Sequence, residues 1–121
     1  MSSHLTTHVL DAAAGSPAPG VDVVLASASG TAVLAEAPGS VIAHGTTDAD
    51  GRLEIGPEEL PAGDYMLTFL TGEYFSARGV ATFYPHVTVT FTVDVADDGS
   101  TRHHHVPLLL SPFAYTTYRG S

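Results

Sequence analysis

The chain has 121 residues, no cysteine and no lysine, and its four arginines against thirteen carboxylates give a formal charge of −9. That length is one domain by the usual size prior and buries roughly 65% of its unfolded surface, so 1–121 is read as a single domain whose core needs neither disulfides nor cysteine-held metals. The acidic balance excludes nucleic acid and anionic membrane as partners, since both need a basic footprint. No apolar run approaches the roughly 20 residues of a membrane span, and the N-terminus lacks a basic-then-apolar leader. A cytoplasmic location is expected.

Leu5 to Asp11 alternates Leu5, Thr7 and Val9 against Thr6, His8 and Leu10, which predicts a strand carrying an imidazole and a leucine on one face. The small residues, Gly and Pro of AAAGSPAPG then mark a turn or loop. Val21 to Ser27 reads as a strand, and Ala28 to Ser40 as a weak segment holding a short strand at Ala32–Ala35 or none. Val41 to Thr47 is the next strand. It ends in Asp48-Ala49-Asp50-Gly51, a tight reversal in which Asp carboxylates bond nearby N–H groups and Gly tolerates positive φ. The turn delivers Arg52 onto a strand over Arg52–Ile55. Pro57 to Leu60 reads as a turn or a single helical turn, Asp64 to Thr71 as a strand, and Gly72 to Ala77 as the one short helix. His86 to Val95 alternates most cleanly, with Val87, Val89, Phe91, Val93 and Val95 inward, and Asp97-Asp98-Gly99-Ser100 turns it into the C-terminal pair.

That pair, RHHHVPLLLSPFAYTTYRGS, is read as two strands joined at Ser111-Pro112. Val106, Leu108 and Leu110 form a core face. The opposite face carries His103, His105, Pro107 and Leu109, where a half-exposed strand would carry Thr, Lys or Glu, so something is expected to cover it. Polar, ring-bearing and cationic groups crowd the ending Tyr118-Arg119-Gly120-Ser121, which predicts a terminus that is tied down and used. Seven or eight short strands between Gly/Pro/Asp turns argue for an all-β antiparallel β-sandwich.

Three residues carry candidate chemistry: His8, Arg52 and His105. Two imidazoles make a natural acid and base at neutral pH, and an arginine beside them would hold an anionic substrate or steady developing negative charge. Taken singly, each histidine reads first as an ordinary hydrogen-bonded residue, and Arg52, after an Asp-Gly turn, as a solvated one. His103-His104-His105 also admits a metal reading, in which His103 and His105 share an ion with His8 as third ligand. Tyr118 and Ser121, one hairpin from His105, would share its pocket or be an interface tyrosine and a frayed end.

Together, LTTHVLD, GSPAPGV, TTDADGR, FYPHVTVTF and HHHVPLLLSPFAYTTYRGS resemble the 5-hydroxyisourate hydrolase family, the transthyretin-related enzymes of urate breakdown. The resemblance runs from Leu5 to Ser121, and YRGS is its most specific feature. It implies a transthyretin-like sandwich of two four-stranded sheets with one short helix, assembled as a homotetramer, a dimer of dimers with active sites in the central channel. That assembly would cover the face bearing His8, Leu10, His105, Pro107 and Leu109. It implies hydrolysis of 5-hydroxyisourate at a ring amide carbonyl to 2-oxo-4-hydroxy-4-carboxy-5-ureidoimidazoline, with water as nucleophile and neither cofactor nor metal. Carried over residue by residue, His8, Arg52, His105 and Ser121 fall on catalytic positions. His8, Arg52 and Tyr118 fall on substrate-binding ones. Which histidine is the base stays open. The chain departs from the family pattern at His104, where tyrosine is usual, at His86, where an acidic residue is usual, and over Ala26–Ser40, which matches weakly. The competing class is a transthyretin-like carrier of a small aromatic ligand, which would favour an apolar channel over one lined by histidine and arginine.

Overall fold

The alternation of LTTHVLD becomes β1 (Leu5–Asp11), in which Leu5, Thr7, Val9 and Asp11 are buried while Thr6, His8 and Leu10 are half-buried. The structure is a computed structural model describing residues 5–28, 41–94, 98–99 and 103–120. The segment read as a short strand at Ala32–Ala35 or none lies outside the described residues. β1 is the centre of the first sheet. β8 (His104–Ser111) runs beside it in parallel, pairing Thr6 with His105, His8 with Pro107 and Leu10 with Leu109. β9 (Ala114–Thr117) returns antiparallel from β8. On its other side β1 is flanked end to end by two short strands. β5 (Arg52–Glu54) sets Arg52 opposite His8 and Glu54 opposite Thr6, and β2 (Ser16–Pro17) pairs with Leu10 and Asp11.

Three features differ from the sequence reading. β2 gives this sheet a fifth, two-residue strand within a stretch read as loop, because Ser16 and Pro17 lie against the edge β1 leaves free beyond β5. The β1–β8 pair is parallel within an otherwise antiparallel sandwich. Pro57–Leu60 forms no helical turn.

The second sheet runs β4 (Val41–Thr46), β3 (Asp22–Ser27), β6 (Gly63–Phe69), β7 (Val87–Val93), all antiparallel. Val23, Leu25, Leu67, Phe69 and Val87 from this sheet meet Leu5, Val9, Leu108 and Leu110 from the first. Each such fully buried side chain is worth about 1.5–3 kcal/mol relative to exposure. The helix α1 (Thr71–Ala77) follows β6 directly. It has no side-chain N-cap, and it buries Thr71, Tyr74 and Phe75, so packing rather than capping holds it. The Tyr74 hydroxyl donates to the buried Asp11 carboxylate at 2.8 Å, tying the helix to the end of β1. No helix among the described residues is long and apolar enough to cross a membrane.

Candidate active site

Period-2 geometry sorts the residues of β1 and β8 cleanly. The buried side takes His104, Val106, Leu108 and Leu110 of β8, and the other side of the sheet takes Thr6, His8, His105 and Leu109, with Arg52 and Glu54 joining from β5 through their pairing with β1. Residues directly opposite across strands share a face, so His8 beside Arg52 and His105 beside Thr6 lie on one face although they come from three separate stretches of sequence.

Each is fixed locally. Arg52 is placed by the Asp48–Gly51 turn, where one Asp48 carboxylate oxygen accepts from the N–H of Asp50 at 2.9 Å and of Arg52 at 3.0 Å. These two backbone donors, followed by the charges of Arg52 and His8, outweigh desolvation and hold the Asp48 carboxyl below its ordinary range. Gly51 has φ +75°, and a Cβ there would run into the Val9 carbonyl oxygen. Only glycine lets the turn lie this close to β1, where the Val9 N–H donates to the Gly51 carbonyl at 2.7 Å. The turn also holds His8, whose Nε2 donates to the Asp50 carbonyl at 2.9 Å. His8 therefore carries a proton on Nε2 and turns Nδ1 elsewhere.

His105 is gripped from two sides. Its Nδ1 lies 2.8 Å from the Thr6 hydroxyl. On the other side, the Gly120 N–H donates to the His105 carbonyl at 2.9 Å in an isolated bridge. A Cβ on Gly120 would collide with the His105 ring at Cδ2. The glycine of YRGS is thus a steric requirement of the imidazole beneath it. Burial is the main influence lowering the pKa of His105, with the charges of His103, His8 and Arg52 acting in the same direction against a raising hydrogen bond to the Thr6 backbone.

Arg52 and His105 line one cleft of about 740 Å³, with Thr6, Asp48, Glu54 and His103 on its walls. A second, smaller cavity of about 240 Å³ is lined by His105, Tyr118 and Arg119 against Phe91 and His104. His105 is a wall common to both. Tyr118, which follows β9, is largely exposed, and Ser121 lies outside the described residues. Among the described residues no three His, Asp or Glu side chains converge as a metal ion would require. Sequence reasoning passed over Thr6 as a partner of His105. Its alternation with His8 was visible, but the parallel register that sets it beside His105 was not.

The outer face thus offers two differently wired imidazoles, a guanidinium and a polar cleft, a set suited to activating water and steadying an oxyanion. Residues 5–120 match the sequence pattern of the HIUase/Transthyretin family. The 5-hydroxyisourate hydrolase of Caulobacter vibrioides is 43% identical over 98% of this chain and 99% of its own length. Among solved structures, Klebsiella pneumoniae 5-hydroxyisourate hydrolase superposes with a TM-score of 0.78 at 35% identity, covering 97% of this chain and 92% of that one. Sea bream transthyretin in complex with thyroxine superposes with a TM-score of 0.80 at 33% identity, covering 96% and 93%. With the pattern matched across nearly its whole length, the chain belongs to the HIUase/Transthyretin family.

Proposed function

We propose that this protein is a cofactor-independent cyclic amide hydrolase that opens 5-hydroxyisourate to 2-oxo-4-hydroxy-4-carboxy-5-ureidoimidazoline in urate catabolism. The observation that carries the reading is the convergence of His8, Arg52 and His105 on one outer face from three strands, in a chain whose relatives include hydrolases of that substrate. His105 is the general base. Its lowered pKa keeps it neutral near pH 7, so its Nε2 takes a proton as the water oxygen bonds to a ring amide carbonyl carbon. Arg52 offsets the negative charge that forms on the carbonyl oxygen. As the tetrahedral carbon collapses, the carbon–nitrogen bond breaks, the nitrogen takes the proton held by His105, and the new carboxylic acid ionises. His8, tied through Nε2 to Asp50, directs its other nitrogen toward the water and orients it. Tyr118 and Ser121 shape the pocket and supply hydrogen bonds to the substrate.

The reading includes a homotetramer, a dimer of dimers with the sites in the channel between dimers. Leu10 and Leu109 on the site face and the exposed rings of Phe113 and Tyr115 beyond it are apolar surface of the kind an interface covers. A carrier role fits this face less well, because Arg52, His103, His105 and Glu54 make the cleft polar and titratable.

The test generates 5-hydroxyisourate from urate and follows its ultraviolet decay with wild type, with His105→Asn and without protein, with sedimentation reporting the assembly. Wild type is expected to accelerate decay, and His105→Asn to lose about 10²–10⁴ in rate with its assembly unchanged. A tetrameric wild type that leaves the decay at its spontaneous rate would sink the hydrolase reading.

A further inference from the structure

The Thr6 hydroxyl stands between two imidazoles, 2.8 Å from Nδ1 of His105 and 3.1 Å from Nε2 of His103. A threonine hydroxyl has one proton and two lone pairs, so it donates to only one of the two rings. If that proton went to Nδ1 of His105, the neutral ring would carry its own proton on Nε2 and have no lone pair with which to take one from water. The opposite wiring leaves Nε2 bare: His105 Nδ1–H donates to Thr6, and the Thr6 hydroxyl donates to Nε2 of His103. Only this wiring also serves the imidazolium formed during the reaction, whose Nδ1 must donate. A hydroxyl already set this way does not rotate when the proton arrives.

We propose that Thr6, with His103 behind it, is a positioning residue that holds His105 as its Nδ1–H tautomer and so keeps Nε2 available as the base. The inference rests on the reading of His105 as general base. It follows the general rule that the hydrogen bond at one ring nitrogen decides the protonation of the other. The backbone favours it as well. Thr6 is the direct register partner of His105 in the parallel β1–β8 pair, and His103, just before β8 begins, reaches the same hydroxyl. His103 is exposed, so water serves its Nδ1–H, and it accepts the Thr6 proton without leaving a buried group unpaired.

The wiring also has a sign in pH. The groups facing His105 are Thr6 and His8 from β1, Arg52 and Glu54 from β5, Asp48 from the turn before it, His103 from the residue preceding β8, and Tyr118 and Arg119 from the segment after β9. A protonated His103 donates from Nε2 rather than accepting, and it adds a second positive charge beside the one His105 must acquire. Removing the Thr6 hydroxyl takes away one acceptor for the imidazolium and leaves the contact to the Thr6 backbone, which moves the acid limb of the pH–rate profile to lower pH. Removing the His103 charge moves that limb to higher pH.

The experiment measures kcat and KM across pH for wild type, Thr6→Val, Thr6→Ser and His103→Asn, and reads the His105 tautomer from imidazole nitrogen NMR. Thr6→Val, nearly isosteric, is expected to lower kcat by about tenfold to a hundredfold, a part of what a general base supplies. Its KM stays near the wild-type value and its His105 moves toward the Nε2–H form. Thr6→Ser restores both rate and tautomer, which a purely structural role for the threonine methyl would not do. The acid limbs of Thr6→Val and His103→Asn shift in opposite directions. An Nε2–H His105 in the wild type, or a folded Thr6→Val with the wild-type kcat and pH profile, overturns the proposal. The tautomer is read without turnover, so a wild type that fails to accelerate 5-hydroxyisourate decay counts against the functional reading separately.

Discussion

The two faces of β1 and β8 are made from the same residues taken alternately, yet they are under opposite demands. On the inner face even the polar groups are closed off: Thr7 donates to the Val106 carbonyl at 2.6 Å, Asp11 accepts from Tyr74 and from the Ala14 N–H, and the buried His104 ring sits 3.7 Å from the Asp94 carboxylate. On the outer face the Thr6 hydroxyl bonds to both His103 and His105, and the rings and guanidinium line an open cleft. A buried polar group that is fully satisfied contributes rigidity, whereas one left with a free lone pair toward a cleft is available for chemistry. The difference teaches that the proposed hydrolase reading separates stability from activity by residue parity along a single strand.

The sharpest way to break that separation is on the inner side. Leu108 is fully buried between the sheets, and Leu108→Ala is expected to cost about 2–5 kcal/mol of stability while retaining the rate per folded molecule. Denaturant unfolding alongside the decay assay checks both halves, and a rate loss as large as the one expected for His105→Asn would mean that the faces are coupled. Gly120→Ala tests the outer side. The added Cβ meets the His105 ring, and a displacement of about 1 Å can cost roughly 10² in rate, with little change in unfolding midpoint. A variant of full activity would show that the imidazole is not held where the chain end presses on it.

The smallest effect is at Tyr74. Burial first, then the hydrogen bond to Asp11 and its charge, push its pKa up from 10.0 to about 12, against the lowering effect of Arg78. The folded state therefore favours the neutral hydroxyl. Its contribution is fully present below pH 10.0 and is lost as pH rises toward about 12. Tyr74→Phe should cost about 1–3 kcal/mol at neutral pH by leaving a buried carboxylate oxygen short of a donor, and it should flatten the alkaline decline in stability. An unchanged decline would assign the alkaline loss to other groups.

Much of this was legible in the residues because alternation is a local signal. The boundaries of β1, the inward valines of β7, and the core face Val106-Leu108-Leu110 follow from period 2 alone. The Asp48–Gly51 turn followed from Asp and Gly chemistry, and it put Arg52 at the start of its strand as expected. What local pattern does not carry is pairing. β2 is two residues long and exists because of the edge it lies against, and the parallel partner of Thr6 stands 99 positions away. The importance of Gly120 was hidden for the same reason, since a glycine near the end of the chain looks like slack until the ring beneath it is seen. Strand β9 stops at Thr117, so Tyr118 belongs to the segment leading to the Gly120 bridge.

The parallel pairing of β1 with β8 has a consequence in time. In the second sheet β3 meets β4 and β6 meets β7 between strands close in sequence, so the loops to be closed are modest. The first sheet instead joins residues nearly a hundred positions apart, and such long-range contacts form late because closing the intervening loop costs entropy before any contact is gained. A chain growing from its N-terminus can thus build much of one layer while the other has only half of its central pair. The outer face, with His8 and Arg52 already synthesised, acquires its third member only when residue 105 arrives, and its clamp only at Gly120. His105 is therefore set on the face that already carries His8 and Arg52 only once the slowest-forming contacts of the fold are made.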